Sequence, residues 1–160
     1  MFVRMMGIAV LVIVLGLSRI GPSSAATDAP YPGTLTLKST LSFAELVANL
    51  EKAVEANKFA IVTQASASKG AAARGVKIPG NAVIGVFRND YAVRMLDASI
   101  AAGIEAPLRL YVTENADGTA TLTYRKPTAV FAPYNSPALD AMAGELDRVW
   151  SKIAEQALKK

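Results

Sequence analysis

The fold is decided by the stretch from Val83 to Lys126, and above all by Leu108-Arg109-Leu110-Tyr111-Val112-Thr113 and Thr119-Ala120-Thr121-Leu122-Thr123-Tyr124, with Asp117-Gly118 between them. Apolar and polar side chains alternate in both runs, which is typical of strands with one buried and one exposed face. An Asp-Gly pair between two such runs is a strong signal for a tight hairpin turn. The sequence therefore predicts an antiparallel hairpin in the middle of the domain.

Three further strands are predicted outward from this hairpin, at residues 34–38, 59–63 and 83–87, because these runs are rich in β-branched and aromatic side chains. A short helix is expected after Asn89, with Asp90 and Arg94 at the spacing of an ion pair. Residues 66–80 are small, basic and glycine-bearing, and they predict a long loop with at most one helical turn.

The best-defined helix start lies at Ser42, because Ser42 and Glu45 form the pattern of a capping box. Asn57 is expected to end this helix in a left-handed conformation. Ser136-Pro137 starts a second long helix, whose apolar stripe is wide enough to cross a sheet. That stripe is predicted to be core: Leu139, Met142, Leu146, Val149, Trp150, Ile153 and Ala157.

The predicted order is β-α-β-β-α-β-β-α, which favours a two-layer α+β domain with an antiparallel or mixed sheet of about five strands and helices on one face. Residues 34–160 form this single domain, and residues 27–33 form a polar linker that contains proline. Residues 1–26 have a positive start, an apolar run and small residues before Ala26, as in a signal peptide. We expect cleavage after Ala26 and a periplasmic or secreted protein, whereas an uncleaved leader would make it a membrane-surface protein.

The composition excludes several classes of function. The chain contains neither cysteine nor histidine, so disulfides, thiolate or histidine metal sites and histidine-dependent catalytic triads are impossible within it. Without Arg4 and Arg19 of the leader, 15 basic residues face 13 acidic ones, which is too small an excess to indicate nucleic-acid binding. We identify no cofactor site and no catalytic constellation, and we therefore expect a protein that is not an enzyme.

The distribution of these motifs resembles the domain-of-unknown-function family 302. The resemblance is carried by Ser42-Phe43, Lys58-Phe59-Ala60-Ile61-Val62, residues 82–89, Ala106-Pro107-Leu108-Arg109-Leu110-Tyr111-Val112, Asp117-Gly118 and Tyr124-Arg125-Lys126-Pro127. It implies a compact α+β domain of the TATA-binding-protein-like class, often dimeric, without an assigned activity. Many members of the family carry a cysteine directly after the proline, and here that position is Leu108.

The alternation of the hairpin places Arg109, Tyr111 and Arg125 together on the face opposite the apolar layer. Three interpretations of this face are open. Arginine and tyrosine could hold a small anionic or aromatic molecule, they could line a homodimer interface, or the face could simply be solvated. The preferred function is that of a secreted or periplasmic module that binds a ligand or associates with a second copy of itself.

An enzyme that uses only Asp, Glu, Lys, Arg and Tyr is the alternative. Glu105 is the carboxylate best placed for such a role, provided that Lys77 or Arg109 lies close to it. A surface glutamate without a catalytic role has the same appearance in the sequence.

Overall fold

The computed structural model describes residues 31–160, and the expected signal peptide lies outside the described residues. Five strands are found in this part of the chain: β1 (Thr34–Ser42), β2 (Ala60–Ala65), β3 (Asn81–Phe87), β4 (Leu108–Glu114) and β5 (Thr119–Arg125). The α-helices of the same part are α1 (Phe43–Ala56), α2 (Ala67–Ala72), α3 (Asn89–Ala98), α4 (Pro127–Phe131) and α5 (Pro137–Ala157). Two 3-10 helices, Ile100–Glu105 and Ala132–Tyr134, complete the described elements.

The strands form one antiparallel sheet in the order β1-β5-β4-β3-β2. The predicted central hairpin is confirmed as the pair β4–β5, with Gly118 in the left-handed conformation that its turn requires. The α+β class with a sheet of five strands is likewise confirmed. Among residues 31–160, no helix combines the length and the apolar character that crossing a membrane requires.

Helices α1 and α5 cover one face of the sheet and enclose the core. The predicted stripe of α5 is buried apart from Val149, which is partly exposed, and Trp150 is 1% exposed. From the sheet, the same core receives Ile84, Val86, Leu110, Val112, Ala120, Leu122 and Tyr124. The opposite face of the sheet, which we call the open face, therefore carries the alternate residues of each strand.

The start of α1 follows the prediction, because Ser42 and Glu45 exchange both hydrogen bonds of a capping box. Its end does not. Asn57 has a φ of −94°, and the left-handed residue is Lys58, at φ 63°. The amide of Asn57 instead donates a hydrogen bond to the carbonyl of Ala53, so this side chain caps the helix from a right-handed position.

Two other local predictions are wrong. Asp90 does not pair with Arg94, because the carboxylate of Asp90 binds Arg88 at 2.7 Å, while Arg94 reaches Glu145 of α5 at 2.8 Å. Residues 66–80 also contain more order than a loop, because the Ser66 hydroxyl accepts a hydrogen bond from the backbone N–H of Lys69 and begins α2. Asp90 and Arg94 thus each have a partner other than the one predicted, and the cap at Ser66 allows a short helix where a loop was predicted.

Candidate functional site

A groove of about 690 Å³ runs over the open face, and we call it the sheet groove. Its floor comes from the strands, and its rim includes Tyr31 before β1, Val130 of α4 and Glu105 before β4. All three predicted site residues, Arg109, Tyr111 and Arg125, line it. The structure therefore brings these three side chains into one concavity.

Arg109 and Arg125 lie on neighbouring strands of this floor. The register pairs Leu110 with Tyr124, so the next position along the strands places Arg109 opposite Arg125. Residues directly opposite each other have Cβ atoms roughly 5 Å apart, and like charges in such pairs are destabilising. Within residues 31–160, neither guanidinium has a carboxylate within 4.0 Å, so their mutual repulsion is not relieved by an ion pair.

Arg125 is partly buried and held in place on one side. Its Nη2 donates a hydrogen bond to the carbonyl of Ala129 at 3.1 Å, and its guanidinium carbon lies 5.3 Å from the centre of the Tyr31 ring. Its Nε is buried and, in the part of the chain that the structure describes, has no hydrogen-bond partner. A buried donor without an acceptor typically costs about 1–3 kcal/mol, so this nitrogen is an unsatisfied group at the rim of the groove.

Arg109 and Tyr111 project from β4 with more freedom. Arg109 is exposed and lies beside Gly85 of β3, and among the described residues it makes no side-chain hydrogen bond within 3.5 Å. Tyr111 is 40% exposed and lies between Val83 of β3 and Thr123 of β5. Its ring and the guanidinium of Arg109 are thus available side by side on the open face.

The far end of the sheet groove is polar. Thr36 of β1 lies opposite Thr123, and Lys38 lies opposite Thr121, so pairing of β1 with β5 adds these side chains to the open face. The sequence shows the alternation along β1 but not which strand β1 pairs with. Thr36 and Lys38 were therefore not predicted to be part of the site. Tyr31 was missed because it lies in the segment expected to be a linker.

Glu105 lies at the end of the 3-10 helix and is half-buried. Its Oε1 accepts a hydrogen bond from the Tyr134 hydroxyl at 2.9 Å. The pKa of Tyr134 is raised, first by loss of solvent around its hydroxyl and then by this carboxylate. Glu105 lines the sheet groove together with Arg109, whereas Lys77 is exposed and lines neither of the grooves that Glu105 borders. The hydrogen bond from Tyr134 holds the carboxylate in place, and within residues 31–160 no cationic group lies within 4.0 Å of it.

A metal site is not evident in the described part of the chain, since residues 31–160 contain no cluster of three or more acidic side chains that could hold an ion. What the sheet groove offers chemically is therefore positive charge, hydroxyl groups, and aromatic and aliphatic surface.

Comparison with known proteins agrees with this fold. The family model described as "Domain of unknown function DUF302" matches residues 35–157. A crystal structure of an uncharacterized conserved DUF302 protein from Bacillus stearothermophilus is similar, with a TM-score of 0.70 and 20% identity, covering 79% of this chain and 98% of that chain. At this identity, the similarity shows the fold alone. No curated protein matches the sequence.

Proposed function

The chain belongs to the DUF302 family, a family of unknown function, and on that premise we propose that it is a binding module that holds a small organic anion in the sheet groove. The observation that carries the proposal is the position of Arg109 opposite Arg125 without a carboxylate partner for either. A bound anion would convert the repulsion between the two guanidinium groups into two charge-assisted interactions.

The shape and lining of the groove support the same proposal. Ligand sites are typically concavities of roughly 300–1,000 Å³ that combine apolar surface with a few polar groups, and the sheet groove lies within that range. Tyr111 and Val83 supply flat and aliphatic surface beside the guanidinium of Arg109. The unsatisfied Nε of Arg125 is a further donor on the same guanidinium.

We further propose that the module acts as a binding protein and not as an enzyme, and that it works outside the cytoplasm. The first part is supported by the surroundings of Glu105, which among residues 31–160 offer a tyrosine hydroxyl but no paired acid or base, and the second by the leader pattern of residues 1–26.

Titration with benzoate tests the proposal, because this anion combines a carboxylate with a ring that can stack on Tyr111. We expect saturable binding by calorimetry or by NMR shifts of the groove residues. Arg109→Gln should weaken it by about tenfold or more, as loss of a hydrogen bond to a charged group usually does. Arg74→Gln removes the same charge from an exposed loop position and should leave binding unchanged. Equal losses in both variants, or no saturable binding by the parent protein, would reject the proposal.

Self-association through the open face is the second candidate, and the exposure of Tyr111 beside Arg109 favours it because both residue types are enriched at protein interfaces. Sedimentation of the parent protein and of the double variant Arg109→Ser, Arg125→Ser distinguishes the two. A dimer that dissociates in the variant supports self-association, whereas an unchanged mass with lost benzoate binding supports the ligand.

A further inference from the structure

A second groove, which we call the edge groove, continues the sheet groove towards strand β2. It has a volume of about 520 Å³ and shares Val83, Glu105 and Arg109 with the sheet groove. Because the same side chains line both concavities, a single ligand held by Arg109 can extend from one into the other.

The edge groove is mixed, because Thr63, Glu105 and Arg109 contribute polar groups and the other lining residues are aliphatic. Its aliphatic lining consists of Ala65, Val83, Ile104, Ala106 and Pro107. Both of its ionisable side chains, Glu105 and Arg109, are those shared with the sheet groove. Charge is therefore concentrated at the junction of the two grooves, and the remainder suits the apolar part of a ligand.

Ile104 is 83% exposed, which is a high value for an isoleucine. Because Ile104 lines the edge groove, part of this side chain is available to contact a ligand there. Ile100 of the same 3-10 helix is 84% exposed but does not line the groove, and it therefore provides a matched control.

The charges at the junction set the charge of the ligand. The sheet groove is lined by Lys38, Arg109 and Arg125 and by the carboxylate of Glu105, and Glu105 and Arg109 are the two charged residues that also line the edge groove. A monoanion can therefore bind Arg109 while its single charge stays clear of Glu105, whereas the second charge of a dianion would be repelled by that carboxylate.

The sheet geometry sets the length. Arg109 is paired with Gly85, and Gly85 is paired with Thr63, so the groove spans two strand spacings, or about 10 Å. The absence of a side chain at Gly85 lets Thr63 and the ring of Pro107 approach each other above β3, because a Cβ there would lie 3.0 Å from Pro107 Cγ. The floor is thereby closed over Gly85. A straight chain of about eight carbon atoms spans this distance.

From these observations, and resting on the proposed function, we infer that the ligand is a medium-chain aliphatic monocarboxylate. Its carboxylate binds Arg109 beside Arg125, and its alkyl chain lies in the edge groove against Ile104 and Pro107.

Propionate and octanoate as calorimetric probes of the full chain test this inference, below the concentration at which octanoate forms micelles. A fully buried methylene contributes about fourfold to affinity, so five additional methylenes that are half-buried should give about thirtyfold tighter binding of octanoate. Ile104→Ser should reduce that preference to about tenfold or less while leaving propionate binding unchanged. Ile100→Ser should change neither value.

The outcomes separate the two proposals. If neither these acids nor benzoate binds, or if Arg109→Gln leaves octanoate binding unchanged, the proposed function itself fails. If benzoate binds and octanoate does not, only the inference of an aliphatic chain is overturned. If propionate and octanoate bind equally, or if Ile104→Ser and Ile100→Ser have equal effects, an anion still binds but the inference of an aliphatic chain is overturned. Octanoate binding that is seen only when phosphatidylcholine vesicles are present, and not with the protein alone, would also overturn it.

Discussion

Replacing Trp150 with alanine should remove a large share of the stability of the domain, because this side chain joins α5 to the rest of the core. Trp150 is 1% exposed, and its ring meets that of Phe59 edge-on, with 5.2 Å between the ring centres. The neighbouring core residues Leu146 and Ile153 lie on the same stripe of the helix and are also buried. Truncation therefore leaves a cavity between α5 and the sheet.

The size of the loss follows from the buried area. A buried aromatic side chain removes roughly 150–250 Å² from water, which at about 25 cal/mol per Å² corresponds to about 4–6 kcal/mol. Measured truncations of this kind lower the free energy of unfolding by about 3–5 kcal/mol. Because the edge-on contact with Phe59 is lost as well, we expect a value in the upper part of that range. Trp150→Ala is thus expected to lower the free energy of unfolding by about 4 kcal/mol, out of the roughly 5–15 kcal/mol typical of a domain.

Urea denaturation followed by far-ultraviolet circular dichroism measures this loss, since the variant lacks the single tryptophan of the chain and its fluorescence. With a slope of about 1.5–2 kcal/mol per molar, the midpoint should fall by about 2–3 M. Tyr111→Ala, a truncation on the open face, should cost less than about 1 kcal/mol. A midpoint for Trp150→Ala that equals the midpoint of the parent or of Tyr111→Ala would refute the packing described for α5.

Two other predictions concern a helix cap and the leader. Hydrogen bonds from the Ser42 hydroxyl and backbone N–H hold the pKa of Glu45 below its ordinary value of 4.5, so the stability it contributes is present above that pH and is lost as the pH falls through the lowered pKa. In thermal unfolding between about pH 5 and pH 3, Glu45→Gln should therefore lose less stability than the parent, and parallel curves would contradict the assignment. Intact-mass measurement of protein from the periplasmic fraction should give a chain that begins at Thr27, and a membrane-bound species that retains residues 1–26 would contradict the expected cleavage.

Local patterns predicted several elements whose deciding interactions lie close together in the chain, although they missed α2, whose cap spans only three residues. The capping box of Ser42 and Glu45 spans three residues, and the turn at Asp117-Gly118 needs only a residue that tolerates positive φ. The ion pairs were different. Arg94 binds Glu145, 51 residues away, and not Asp90, four residues away, because the packing of α3 against α5 brings the distant carboxylate closer.

The candidate site shows the same division. Period-two alternation was sufficient to place Arg109, Tyr111 and Arg125 on one face, and they do line one groove, although what they bind stays a prediction. Lys38 lies in the groove only because β1 pairs with β5, a strand far away in the chain. The alternation within β1 does not show which strand is its neighbour. Tyr31 enters the site through its contact with Arg125, which the polar linker pattern did not indicate.

By itself the sequence determined the five strands, the helices that follow Ser42, Asn89 and Ser136, which face of each is apolar, and that histidine and cysteine chemistry is excluded, because these properties depend on side-chain types and on spacings of a few residues. The tertiary structure decided the order of the strands, the opposition of Arg109 and Arg125, and the groove between β2 and the 3-10 helix before β4. Those features arise from contacts between residues far apart in the chain, which form because the apolar faces of all the elements must be buried together in one core.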